Sequence, residues 1–270
     1  MSNSNKYKSR PKLTIITICK NSEKTISDAV KSVLDILNIA EGIEYIIQDG
    51  KSRDDTNQII KELTKDNNKV KIYRETDKGI YDAMNKALDK AKGEFILFLN
   101  SDDILLNNFL KKSYVDIFKS DFDCLIAPVM FFKRPSKRIL RYWLVKEGNL
   151  NFISSLIYSP YPPHPGFICK RKILSKYKFN LKYNIASDYL QMNSILKDSS
   201  VKRKYLERPI VAMAMNGESN RIRSIIKSKK EINQINKKIK FSENIALRYI
   251  RNLIQHIIPL IKQKKLMDFY

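Results

Sequence analysis

The chain has 270 residues, room for one large domain or for a domain with an appendage. Lys and Arg number 51 against 28 Asp and Glu, a formal net charge of +23, so its field favours anionic partners such as phosphates, nucleic acid or acidic lipid headgroups. Cys19, Cys124 and Cys169 are odd in number, far apart and set in or beside apolar runs, which argues against a disulfide framework or a zinc site and for reduced thiols in the cytosol.

Met1 to Lys12 is polar and basic with no apolar stretch behind it, so no signal peptide is expected. Leu13–Cys19, Ile43–Gln48, Val70–Tyr73 and Phe95–Asn100 read as strands, while Glu23–Leu37, Asp54–Lys65 and Ile80–Ala91 between them carry a helical period. That alternation predicts crossover helices around a largely parallel sheet. Ser52 with Asp55 suggests a capping box for the second helix, whose apolar face is Ile59, Ile60 and Leu63, and Gly93 suggests a left-handed cap on the third. After Asp103 the alternation weakens. Cys124–Phe132 and Arg138–Val145 read as strands, Leu150–Ile157 as a short helix, and Ser159–Pro165 as a loop whose four prolines forbid regular structure. Ser187–Leu196 reads as a helix, followed by strands near Val201–Leu206 and Pro209–Met213.

From about Arg221, Ile225, Ile232, Ile235 and Ile239, then Ile245, Tyr249, Ile250, Leu253, Ile254 and Ile257, recur at helical spacing among Lys, Arg and Asn, predicting two basic amphipathic helices. Such helices suit either an anionic membrane surface or packing against the rest of the chain or a second subunit. The longest uninterrupted apolar runs, such as Phe95–Leu99, fall far short of the ~18–20 residues of a spanning helix. A soluble or peripheral protein is expected.

Acids mark the carboxyl ends of the predicted strands, where an open α/β sheet binds its ligand. Asp49 ends the second in Gln48-Asp49-Gly50-Lys51-Ser52, Asp77 follows the third, and Asp102 and Asp103 end the fourth in Leu99-Asn100-Ser101-Asp102-Asp103. Each could serve only a turn or a helix cap. The pair Asp102–Asp103 also suits Mg2+ or Mn2+, held by one or two carboxylates with phosphate oxygens, on a loop expected to expose its oxygens.

Four stretches together resemble a family 2 glycosyltransferase of GT-A fold, in the branch that builds bacterial capsule, exopolysaccharide and lipopolysaccharide. They are Thr14-Ile15-Ile16-Thr17 with Asn21-Ser22, Gln48 through Thr56, Asp77-Lys78-Gly79-Ile80-Tyr81-Asp82-Ala83-Met84-Asn85-Lys86, and Gly93-Glu94-Phe95 through Asp103. The resemblance covers roughly the first 105 residues. It implies a nucleotide-sugar donor, UDP-linked, with Thr17 and Cys19 lining the nucleotide pocket and Asp49 pairing with the base. Asp77 and Gly79 would border the donor, Asp102 would face the ribose or sugar, and Asp103 would ligate the metal on the diphosphate. Ser-Asp-Asp stands where a stricter member has Asp-x-Asp, leaving the division of labour between the two acids open.

Ala186-Ser187-Asp188-Tyr189 resembles the segment carrying the family's general base, so Asp188 would take the acceptor's proton; the alternative is that Asp188 or Ser187 caps the helix that follows. His164 resembles a position near the acceptor or the phosphates. In-line attack would invert the anomeric centre, and the acceptor would be a hydroxyl of a glycan or lipid-linked sugar on the cytoplasmic side of the membrane. The expected domains are a GT-A unit over 1–220, with its nucleotide-sugar half about 12–105 and its acceptor half about 106–220, and a helical extension over 221–270. Two other classes stay open. A nucleotidyltransferase should show a Gly-rich loop near the first strand, and Cys19–Lys24 has no Gly; a nucleic-acid binder should show a recognition signature, and none is present, so no nucleic-acid partner is expected. The sequence is compatible with an oligomer.

Overall fold

A computed structural model describes residues 10–106, 117–148, 151–215, 222–239 and 245–262. The N-terminal reading of residues 1–9 lies outside them, as do the side chains of Ile225 and Ile245.

Strands β1 (Leu13–Cys19), β2 (Ile43–Asp49), β3 (Val70–Arg74) and β4 (Phe95–Asn100) are parallel, in the order β4-β1-β2-β3. The runs of β1 and β4 are buried almost throughout because helices cover both faces, while β3, at the edge, alternates as Val70-Lys71-Ile72-Tyr73-Arg74. Ile15, Ile47 and Leu97 pack with Ile26, Val30 and Val33 of α1 (Ile26–Leu37) and Ile60 of α2 (Thr56–Thr64). Ile16, Ile46 and Ile96 pack on the other face with Tyr81, Met84 and Leu88 of α3 (Ile80–Lys90).

The second half extends this sheet and adds another. The short strands are β5 (Ile104–Leu105), β6 (Cys124–Ile126), β7 (Val129–Lys133), β8 (Arg138–Trp143), β9 (Phe167–Lys170), β10 (Arg203–Tyr205) and β11 (Val211–Ala214). The main sheet runs β10-β6-β9-β4-β1-β2-β3, with β9 antiparallel to both neighbours, and β5-β11-β7-β8 form a four-stranded sheet. The single strand expected over Cys124–Phe132 is therefore two strands in different sheets. Pro128, between them, has no N–H to give a ladder.

Two local expectations are corrected. Gly93 is not a left-handed cap; its N–H donates to Thr14 Oγ1 at 2.8 Å, and a Cβ there would lie 2.5 Å from Thr14 N. Ser52 does not cap α2; Asp54 accepts from Thr56 N and Oγ1 beside that helix, and Ser52 turns back to Asp49.

Helices α4 (Phe152–Ser155), α5 (Arg171–Lys176) and α6 (Ser187–Lys197) complete this half, with a 3-10 turn at His164–Gly166 in the Pro-rich loop. The two tail helices are α7 (Ile222–Ile239) and α8 (Ile245–Lys262). Ile232, Ile235 and Ile239 of α7 pack against Tyr183, Ala186, Tyr189 and Leu190. Helix α8 is turned the other way. Its buried Arg251 and Gln255 donate to the carbonyls of Ser155 and Ile157, while Tyr249, Ile250, Leu253 and Ile257 face outward. Phe152 and Ile153 of the adjoining α4 are exposed as well. Among the described residues no helix is long and apolar enough to cross a membrane.

Candidate active site

Parallel register brings the strand ends level: Cys19 pairs with Asp49, Asp49 with Arg74, and Ile18 with Asn100. The loops that follow therefore open on one edge. Asn21, at φ 52, gives its N–H to Ser52 Oγ and takes that of Arg53 on Oδ1; Ser22 N donates to Thr56 Oγ1, and Ser22 Oγ lies 3.0 Å from Ser101 Oγ. Three loops are thus stitched together by small polar side chains.

Asp49 is fully buried. Its Oδ1 accepts from Ser52 N at 2.9 Å and Oγ at 2.5 Å, while Oδ2 has no hydrogen-bond donor and faces Arg74 Nε at 3.3 Å. Thr17 and Cys19, expected to line the pocket, are buried with it. Thr17 Oγ1 accepts from Tyr45 Oη, and burial pushes the Cys19 thiol far up. Asp77 Oδ1 accepts from Gly79 N at 3.0 Å, and Asp77 Oδ2 would be 2.3 Å from a Cβ on Gly50, so a larger residue there would push the acid aside. Gly79, at φ 118, turns the chain into α3 with a conformation that favours glycine.

The acidic pair divides. Asp103 is 2% exposed, its Oδ1 accepting from Ala214 N at 3.1 Å and its Oδ2 from Asn100 Nδ2 at 2.8 Å. Asp102 is half-buried, and its carbonyl accepts from Arg134 Nη2, whose other amino group is paired with Asp28. Burial raises both carboxyls; Asp102 raises Asp103 further, and Arg134 pulls the other way. The expectation that this loop exposes the oxygens of both acids is corrected: it buries those of Asp103. Among the described residues no group of three or more His, Cys, Asp or Glu could cage a metal. The donor set still fits Mg2+ or Mn2+ shared with a diphosphate, because each Asp103 oxygen keeps a lone pair after its one hydrogen bond, and a divalent cation would offset two crowded negative charges.

Across the edge, Asp188 lies in the first turn of α6, where Oδ1 accepts from Tyr81 Oη at 2.8 Å. It makes no cap: the helix start has no side-chain capping bond, and Ser187 Oγ instead accepts from Asn180 N. His164 stacks on Phe98 of β4 (5.5 Å) and meets Phe179 edge-on (5.7 Å), and Phe179 stacks on Tyr81 (5.3 Å). Burial holds the His164 imidazole below its ordinary value, with the charge of Asp188 pulling it up. The two second-half residues singled out from the sequence thus share one aromatic-walled cluster beside the end of β4.

Residues 14–202 match the sequence model described as Glycosyl transferase family 2. A 102-residue stretch is 33% identical to the GalNAc(5)-diNAcBac-PP-undecaprenol beta-1,3-glucosyltransferase of Campylobacter jejuni, covering 37% of this chain and 32% of that relative, so the match spans about a third of its length. The structure resembles S. aureus TarS 1-349 in complex with UDP-GlcNAc (TM-score 0.59, 22% identity, 89% of this chain and 70% of that one). It also resembles the mannosyltransferase PcManGT from Pyrobaculum calidifontis in complex with GDP-Man and Mn2+ (TM-score 0.54, 17% identity, 88% and 67%). The GT-A architecture expected from the sequence is the one the chain has.

Proposed function

The chain belongs to glycosyl transferase family 2, and on that premise we propose that it moves a hexosyl or N-acetylhexosaminyl unit, with inversion, from a UDP-sugar to a hydroxyl of a glycan or lipid-linked acceptor in cell-surface polysaccharide synthesis. The observation that carries this reading is Asp49 at the end of β2, a buried carboxylate with one oxygen tied to Ser52 and the other beside Arg74 Nε at 3.3 Å but without a hydrogen-bond donor, an oxygen that could still accept the imide N–H of uracil once the loops around it open. The UDP-GlcNAc complex of TarS and the lipid-linked acceptor in the Campylobacter enzyme's name are consistent with it.

Asp77 and Gly79 border the donor, Thr17 and Cys19 line the nucleotide pocket at the end of β1, and Asp102 faces the ribose or sugar. Asp103, with Asp102 beside it, is where Mg2+ or Mn2+ would be held; bound there, the cation would offset charge gathering on the departing diphosphate. Asp188 accepts the proton of the acceptor hydroxyl as general base. His164, held neutral by burial, lies on the acceptor side. Attack opposite the leaving group turns an α-linked donor into a β-glycoside. Residues 1–220 form the GT-A domain that carries the donor and acceptor residues, and 221–270 an extension, of which α7 completes the packing of the acceptor half and α8 carries the outward apolar face toward the anionic inner surface of the cell membrane.

Calorimetric titration with UDP, GDP and dTDP in the presence of Mn2+ tests the donor assignment. On this assignment UDP should bind at least about tenfold tighter than GDP. Equal binding of both overturns it.

A further inference from the structure

Asp188 is held by parts of the chain on either side of it in sequence. Tyr81 Oη lies 2.8 Å from Asp188 Oδ1 and 2.6 Å from the carbonyl oxygen of Ile185. Glu231, buried on α7, accepts Asn184 N on Oε1 at 3.1 Å, and Ile185 N at 2.9 Å and Ala186 N at 3.0 Å on Oε2. The peptide between Ile185 and Ala186 is held on its N–H by Glu231, while its C=O and Asp188 Oδ1 share the single O–H of Tyr81. One residue later α6 begins, and Asp188 stands in its first turn.

We propose that Tyr81 and Glu231 are positioning residues for Asp188: Tyr81 fixes Oδ1 so that Oδ2 is left for the acceptor's proton, and Glu231 fixes the segment from which the base projects. The assignment rests on the reading of Asp188 as general base. A carboxylate on a two-bond side chain can rotate, and a hydroxyl that engages one oxygen removes that freedom before substrate arrives. Tyr81 is suited to donate because burial, and then the Asp188 charge, push its phenol well up, so it stays protonated. Its ring is fixed by stacking on Phe179. Glu231 places a negative charge against three N–H groups that lead into a helix N-terminus, where an anion is favoured.

The arrangement has a consequence for donor binding. Tyr81 stands two residues after Gly79, in the first turn of the helix that starts at the donor's border. One short rigid path therefore joins the proposed donor seat to the base, and a bond from the tail joins α7 to the same point. Sugar transfer leaves the proton balance simple: the acceptor oxygen bonds to the anomeric carbon, the nucleotide leaves with the bonding pair, and the acceptor's proton ends on Asp188. Tyr81 keeps its own proton throughout.

The test uses the full chain with a UDP-sugar and Mn2+, reading nucleotide release across pH for wild type, Asp188→Asn, Tyr81→Phe and Glu231→Gln. Tyr81→Phe keeps the stacked ring and removes only the hydroxyl; kcat should fall about tenfold with the donor KM within about twofold. The titratable groups facing Asp188 are Tyr81 of α3 and His164 of the 3-10 turn, with Glu231 of α7 behind the segment; His164 is unchanged in both variants. Glu231→Gln sets an amide N–H against backbone N–H groups and should lower kcat about tenfold with nucleotide affinity retained. If Asp188→Asn is inactive while Tyr81→Phe keeps the wild-type rate and pH profile, the positioning proposal is overturned and the base assignment stands. Full turnover by Asp188→Asn overturns both. Tyr81→Phe decides alone if Glu231→Gln does not fold.

Discussion

Asp103 Oδ1 accepts the backbone N–H of Ala214 at 3.1 Å across 111 residues of sequence, pinning the loop after β4 to β11 of the second sheet. A group read as a metal ligand is therefore also a brace between the two sheets. Asp103→Ala should abolish metal-dependent transfer and in addition cost about 2 kcal/mol, because it leaves Ala214 N and Asn100 Nδ2 without their acceptor. Asp103→Asn keeps one carbonyl oxygen and should cost less stability while losing activity as completely. Thermal melts beside nucleotide-release assays in Mn2+ separate the two effects. Full activity of either variant removes Asp103 from the metal site.

Glu44 provides a second brace, unmarked in the sequence. It is 4% exposed, and its Oε2 accepts Thr14 Oγ1 and Lys92 N at 2.8 Å each, while Oε1 takes Lys71 Nζ at 2.6 Å. Burial pushes its carboxyl up, but Lys71, Lys92 N–H and Thr14 outweigh that and hold it below its ordinary value. The folded value lies below the unfolded one, so the stabilisation is present above pH ~4.5 and is lost as pH falls through the folded value. Glu44→Gln should destabilise by about 1–3 kcal/mol at neutral pH and flatten the acid arm of the melting profile. An unchanged melting temperature would show that the network contributes nothing.

How far these features could be read from sequence depended on how local they are. The runs Leu13–Cys19 and Phe95–Asn100 coincide with β1 and β4 because strands buried on both faces leave unbroken apolar runs. The acids were findable because parallel strands end together. Strand β9 and helix α5 escaped, being four and six residues long with no room for a period to show. Tyr81 stood inside a quoted motif with no partner visible, since its acceptor is 107 residues away, and Glu231 sits in a basic stretch whose isoleucine spacing gives no hint of three backbone N–H groups across the fold. Thr17 and Cys19 stand at the end of β1, and how deeply such side chains are covered is set by neighbours such as Tyr45, remote in sequence.

The tail divides into two roles that predict different outcomes. Removing everything after Asn220 takes away Glu231 and the isoleucines packed on Tyr183 and Ala186, so such a chain should aggregate or melt early rather than remain a free catalytic unit. Helix α8 is different, with Tyr249 72% and Leu253 58% exposed beside Phe152 at 68%. The full chain should float with phosphatidylglycerol vesicles at low salt, and Leu253→Asp with Ile257→Asp should weaken binding at least about tenfold without altering the melt. Vesicle binding untouched by the double variant moves the membrane contact elsewhere.

Asp49 separates nucleotide recognition from chemistry. Asp49→Asn retains an oxygen for Ser52 but turns an N–H toward Arg74 and toward any imide donor, so UDP affinity should drop by about tenfold or more. Ser52→Ala, which removes one of the two bonds on Oδ1, should give a smaller loss. Isothermal titration reads both, and wild-type UDP affinity in Asp49→Asn places the base elsewhere.

The central claim, metal-assisted transfer from a UDP-sugar with Asp188 as base, is tested most directly by nucleotide release from a panel of UDP-, GDP- and dTDP-sugars in Mn2+, comparing the full wild-type chain with Asp188→Asn. Release of UDP above background, with turnover lost at least about a hundredfold in the variant while UDP still binds, is the predicted result. Release confined to GDP- or dTDP-sugars, equal rates with EDTA, or undiminished turnover by Asp188→Asn would contradict it.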